Sequence, residues 1–381
     1  MRSDRATPFR GALCALVIAL SAFAACAQAQ TYNLRVIHRF SGAPDDGSIP
    51  VGPLQFDSAG NLYGTSLEGG AYNVGTIFKI AKDGTGTILH SFVASGDPAD
   101  GVTIDPATGD LYGADEEDYY GQIYKLAPDG TFTVLHAFTG PDGRAPLGSL
   151  IRDQAGNLYG VTEAGGTDDE GTIYKLTPNG TLTTLYVFIG DAYGRNPNSL
   201  VRDQAGNLYG TTGYSYPTSY GTVFKLAPDG TLTTLYSFTS GADGSAPANL
   251  VGDRAGNLYG TTLGGQPNSG TVFKLAPDGT FTTLYTFTGG ADGDLPSALL
   301  PVGRNLYGTT LFGGVNYFGV LFKLAPDGTE RVLHSFTLRD GIFPWSGLTL
   351  KYGRLFGTAS ASDPRDGAGG GTVFSFGVAK Q

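Results

Sequence analysis

From residue 34 onward the chain is built of short stretches in which apolar, β-branched and aromatic residues alternate with polar ones. Around residue 200 four such stretches follow one another, Ser199–Asp203, Asn207–Thr211, Gly221–Leu226 and Leu232–Phe238. Their two-residue period and length of five to seven residues predict β-strands rather than helices. The segment Asp203-Gln204-Ala205-Gly206-Asn207 joins the first two, with an aspartate able to cap the turn and a glycine free to take positive φ. Pro228-Asp229-Gly230 joins the last two. The same hairpin signal returns at Pro128-Asp129-Gly130, Pro178-Asn179-Gly180, Pro277-Asp278-Gly279 and Pro326-Asp327-Gly328.

These four-strand units repeat. Leu62-Tyr63-Gly64 recurs at 111, 158, 208, 258 and 306, and as Leu355-Phe356-Gly357, at intervals of 49, 47, 50, 50, 48 and 49 residues. A period near 50 with four strands predicts an all-β, seven-bladed β-propeller of four-stranded blades. The final unit stops at Gly371–Phe376 without a fourth strand, whereas Leu34–Phe40 has the fourth-strand pattern seen in Leu135-His136-Ala137-Phe138. The N-terminal strand is therefore expected to complete the last blade, which removes exposed edges. An open solenoid of β-units leaves that complementarity of the two ends unexplained.

The string Asn-Leu-Tyr-Gly-Thr-Thr at 207–212, Gly-Thr-Val-Phe-Lys-Leu-Ala-Pro-Asp-Gly-Thr at 221–231 and Leu-Tyr-Ser-Phe at 235–238 resembles the GloVer tandem repeat. The resemblance covers nearly all of the chain after residue 30. It implies an exported bacterial repeat protein of the choice-of-anchor type and brings no catalytic residue with it. The C-terminal residues Val373–Gln381 lack the hydrophobic tail, basic stop or Pro-Glu-Pro motif of that pattern, so the resemblance does not carry a sorting segment over.

Residues 1–29 read as a signal peptide. Arg2, Arg5 and Arg10 precede an apolar run from Gly11 to Ala25, and small residues allow cleavage after Ala27 or Ala29. Residues 30–381 then form a single domain, expected to be secreted, periplasmic or at the cell surface. Phe23-Ala24-Ala25-Cys26 loosely resembles a lipobox, and lipid anchoring at Cys26 is the weaker alternative. Cys14 and Cys26 both lie in the leader, so the fold is expected to hold without disulfides. Losing the leader leaves 21 basic against 33 acidic residues, which argues against nucleic acid or an anionic membrane as a partner. A monomer is expected, with no transmembrane span after cleavage.

Candidate chemistry is thin. His38, His90, His136 and His334 share one repeat position with Tyr186, Tyr236 and Tyr285, which predicts packing rather than catalysis. Asp57, Asp153, Asp203 and Asp253 end the first strands and read as turn caps. A second set, in Asp-Gly-X-X-Pro, comprises Asp46, Asp142, Asp243, Asp292 and Asp340; Asp100-Gly101 lacks the proline, and Tyr193-Gly194 lacks the aspartate. This motif predicts an inter-blade turn. Carboxylates shown around a ring also leave Ca²⁺ open as a ligand, although no EF-hand spacing supports it.

The loops between second and third strands differ most from unit to unit, and with the Asp-Gly loops they are expected to share one face. That face carries the candidate ligand-binding residues: the aromatics Tyr119, Tyr120, Tyr214, Tyr216, Tyr220, Tyr317 and Trp345, and the acids Asp168, Asp169 and Glu170. Aromatic rings stack on sugars or anchor a protein partner. The expected function is non-catalytic recognition of an extracellular glycan or protein. A propeller hydrolase or lyase acting on a carbohydrate or lactone is the alternative class, and a structural envelope protein a third.

Overall fold

The computed structural model describes residues 33–93, 98, 101–116, 119–190, 194–213, 219–265, 269–362 and 369–378. Seven four-stranded antiparallel sheets form a ring of blades. Blades 1 to 6 span 47–91, 103–137, 144–187, 197–237, 245–286 and 294–335. Blade 7 takes Thr349–Lys351, Arg354–Ala359 and Thr372–Gly377 from the C-terminal part and Leu34–Arg39 from the N-terminal part. In blade 4 the strands are Pro197–Arg202, Leu208–Thr212, Thr222–Leu226 and Leu232–Ser237, within two residues of the bounds expected from the pattern.

The closing strand copies the pairing of the covalent hairpins. Leu34 pairs with Phe376, Val36 with Phe374 and Arg39 with Thr372, with a bulge between Val36 and His38. The blade 4 hairpin pairs Leu232 with Leu226, Thr234 with Phe224 and Ser237 with Thr222, and its bulge falls at the same place. Blade 7 is also tied to blade 1 through side chains. Thr349 Oγ1 donates to the Leu54 carbonyl (2.6 Å) and Thr358 Oγ1 to that of Pro50 (3.2 Å).

The repeated residues meet at the junctions between blades. The phenylalanine leaving each fourth strand (40, 92, 138, 188, 238, 287, 336) is buried. Each meets, edge to face, the aromatic ring on the third strand of the next blade, with centroids 4.9 to 5.7 Å apart. Such pairs add to the burial energy of the rings, which is about 1.5–3 kcal/mol each. The glycine of Leu-Tyr-Gly is required by that ring. A methyl group on Gly210 or any of its six counterparts would collide with the aromatic side chain on the neighbouring strand of its own blade.

A second contact sits at the other end of each junction. The glycine opening the third strand, Gly221 in blade 4, has φ of +96° and lies under the ring of Pro247 from blade 5. All seven junctions carry this glycine–proline contact. It corrects the register of the loop motif in blade 2. Pro98 contacts Gly75 and bridges to Asp115, as Pro50 pairs with Ser66. Pro98 is therefore the counterpart of the motif proline; Gly101 lies two residues before the strand Thr103–Ile104, and Asp100 lies outside the described residues. Blade 2 reaches its proline through a shorter connection, so matching Asp-Gly pairs by sequence misaligns it.

The aspartates divide as expected into two kinds of cap, and one kind has an additional partner. Asp153 accepts from Asn157 N (2.9 Å), Asn157 Nδ2 (2.8 Å) and Tyr159 Oη (3.1 Å), and Asp57, Asp203 and Asp253 repeat this set. In the Asp-Gly loops, Asp142 accepts from Thr139 N (2.8 Å) and lies 2.8 Å from His136 Nε2. His38 and His334 reach Asp46 and Asp340 alike, while Tyr236 and Tyr285 donate their hydroxyls to Asp243 (3.1 Å) and Asp292 (3.0 Å). Histidine and tyrosine thus interchange because each reaches the same loop carboxylate from the tip of its ring. His90 differs: its ring stacks on Phe132, with centroids 4.1 Å apart and planes 7° from parallel. Burial holds its imidazole below the ordinary histidine range.

Candidate functional site

The loops between second and third strands share one face with the Asp-Gly loops, because their backbones bond each other. Gly70 N donates to Asp46 O (2.8 Å), Gly166 N to Gly140 O (2.9 Å) and Gly314 N to Gly290 O (2.9 Å). The loops of blades 2 to 7 also each accept a bond from the blade that follows, such as Ala145 N to Tyr120 O (3.0 Å) and Phe343 N to Phe318 O (3.1 Å). The donors in this second series have φ near +50°, and the inter-blade bond holds them in that costly conformation. The variable face is therefore a braced surface.

On it the candidate residues separate into three groups. Tyr119 (68% exposed), Tyr120 (41%), Tyr317 (57%) and Trp345 (45%) present rings to solvent. Tyr220 packs against the core between blades 4 and 5. Tyr214 and Tyr216 lie outside the described residues. Among the acids, Asp169 clamps Arg144 through both oxygens (2.9 and 2.7 Å), and Arg144 in turn covers the Tyr119 ring at 4.9 Å. The Arg144 guanidinium and the Gly165 N–H hold the Asp169 carboxyl below its ordinary value. Glu170 pairs with Arg195 at 3.1 Å. Asp168 is exposed. Tyr119, Tyr120, Arg144 and Asp169 thus form one patch across blades 2 and 3. Tyr317 forms another with Phe312 (6.0 Å, near-parallel rings), and Phe312 meets Phe343 edge-on at 5.3 Å.

The backbone adds what side-chain types alone did not reveal. Two residues before the third-strand glycine, Asn73, Tyr119, Asp169 and Tyr317 all adopt left-handed φ of 57°, 72°, 61° and 63°. Asn73 and Asp169 suit that conformation, since each side-chain oxygen caps a loop N–H, of Gly69 (3.1 Å) and Gly165 (2.8 Å). A tyrosine has no such short-range acceptor, and a bulky residue there is a backbone outlier. Among the described residues, no group of three or more His, Cys, Asp or Glu side chains could hold a metal ion. No helix among them is long and apolar enough to cross a membrane.

The sequence profile of the Gloeobacter/Verrucomicrobia repeat matches residues 115–305 and 196–381. The chain belongs to this family. In this member of the Gloeobacter/Verrucomicrobia repeat family, the Gly, Phe and Pro that recur along the chain make the junction contacts described above. No curated protein matches the chain. Among solved structures, a streptogramin B lyase superposes with a TM-score of 0.65 at 17% identity, over 91% of this chain and 98% of that one. An oligogalacturonate lyase from Vibrio parahaemolyticus gives 0.60 at 11% identity, over 92% and 98%. At these identities the likeness is one of fold.

Proposed function

We propose that this repeat propeller is exported and acts outside the cytoplasm as a non-catalytic binding protein, recognising a glycan or a protein through its braced, variable face. The left-handed tyrosines carry the reading. Tyr119 and Tyr317 occupy positions where asparagine or aspartate would make the turn easier, and the backbone strain there costs on the order of 1–3 kcal/mol. What tyrosine supplies instead is a large ring, exposed on a rigid tip, ready to stack on a sugar or anchor a protein surface. Replacing Tyr119 and Tyr317 by asparagine should leave the melting temperature unchanged or raised. Binding to a ligand found by glycan-array or pull-down screening should fall about tenfold or more.

A lyase or hydrolase working at the central mouth of the same face is the competing reading, favoured by the fold likeness to the streptogramin B and oligogalacturonate lyases. A panel of polysaccharides and lactones separates the two. Turnover with no ligand retained would replace the binding role by catalysis.

A further inference from the structure

On the opposite face, where the uniform turns lie, the clefts between blades repeat one arrangement, and some are filled from within. At the junction of blades 3 and 4, Tyr159 donates to Asp153, and the Arg202 guanidinium from blade 4 lies over its ring at 5.3 Å. At the junction of blades 2 and 3, Arg152 from blade 3 reaches the buried Asp105 with Nη2–Oδ2 of 2.5 Å. Both arginines immediately precede the capping aspartate of their own blade.

Elsewhere that position holds no cation. Ile104 occupies it in blade 2 and Pro301 in blade 6, and the two clefts they line are open, with volumes of about 420 and 280 Å³. The first still carries the receiving groups: Tyr63 Oη donates to Asp57 Oδ2 (3.1 Å), as Tyr159 does to Asp153. Lys79, 5.8 Å from the Tyr63 ring, does not block a second cation. Lys175 lies 5.9 Å from Tyr159 and shares that ring with Arg202. The cleft between blades 5 and 6 is lined by Arg304 of its own chain, whereas among the described residues Lys79 is the only basic one lining the cleft between blades 1 and 2.

We infer that the cleft between blades 1 and 2 receives an arginine side chain from a partner polypeptide, in the way that Arg152 and Arg202 fill the next two clefts from within. The Tyr63 face offers the guanidinium a cation–π surface, Asp57 a carboxylate, and Ile104, Leu111 and Leu126 a wall for its aliphatic stem. The chain's net charge of −10 draws a cationic partner toward it.

The test uses a short Gly-Arg-Gly peptide, with citrulline and lysine analogues, followed by backbone-amide NMR shifts at millimolar peptide. Saturable shifts clustered at Tyr63, Ile104 and Gly109, weakened about tenfold by citrulline, are the expected result. Ile104→Arg, which installs the plug that blade 3 carries naturally, should abolish those shifts without lowering the melting temperature. Asp57→Asn should weaken them. Absence of saturable shifts, shifts elsewhere on the ring, or binding that survives Ile104→Arg would overturn the assignment. None of these outcomes depends on Tyr119 or Tyr317, so the proposed role of the other face stands or falls separately.

Discussion

Glu330 begins a fourth strand at the position where Phe281 and Phe132 lie flat against Tyr236 and His90 of the preceding blade. Its Oε1 is buried without a hydrogen-bond partner. Burial, and then the charge of nearby Asp292, raise its carboxyl from 4.5 to about 7. Between these two values the folded chain keeps a proton that the unfolded chain releases, so stability from this group falls as pH rises through that window. Glu330→Leu should therefore stabilise the protein by about 1 kcal/mol near pH 8 and by less near pH 5, as read from thermal melts at the two values. At this scale the sequence was informative about residue type and silent about pairing. The four histidines were recognisable as structural from their interchange with tyrosine. That His136 and Asp142 meet across a turn depends on loop geometry, which spacing alone does not specify.

The strands and turns were legible because each is specified locally, by a two-residue period bounded by Gly, Pro, Asn and Asp. The register of blade 2 was not, since the shortened connection after Phe92 preserves a decoy Asp-Gly pair while the functional landmark is Pro98. The left-handed tyrosines were visible as loop aromatics but not as outliers, because φ cannot be read from residue type. The third-strand glycine offers a test of how the elements dock. Gly221→Ala places a methyl group at φ +96° and against the Pro247 ring, and should cost about 2 kcal/mol or more by chemical denaturation. Adding Pro247→Ala should recover only the steric share of that loss, leaving the backbone share.

For the whole molecule, seven-fold closure was readable because the strand absent at one end of the repeat array is present at the other. Phe40 tests whether that closure has the strength of the covalent junctions. It is fully buried and meets Phe78 of blade 1 edge-on at 4.9 Å, as Phe238 meets Phe273 at 5.3 Å. Phe40→Ala and Phe238→Ala should each cost about 3–5 kcal/mol in denaturant melts. A much smaller loss for Phe40 would mean that the ring is held closed by strand pairing alone.

The glycine–proline and aromatic contacts recur at every junction, so each fixes the same wedge, one-seventh of a full turn. Seven equal wedges leave no slack. The pairing of Leu34–Arg39 with Thr372–Gly377 is the one in the ring whose two strands no hairpin joins, so a misfit at any junction is expected to open the circle there first.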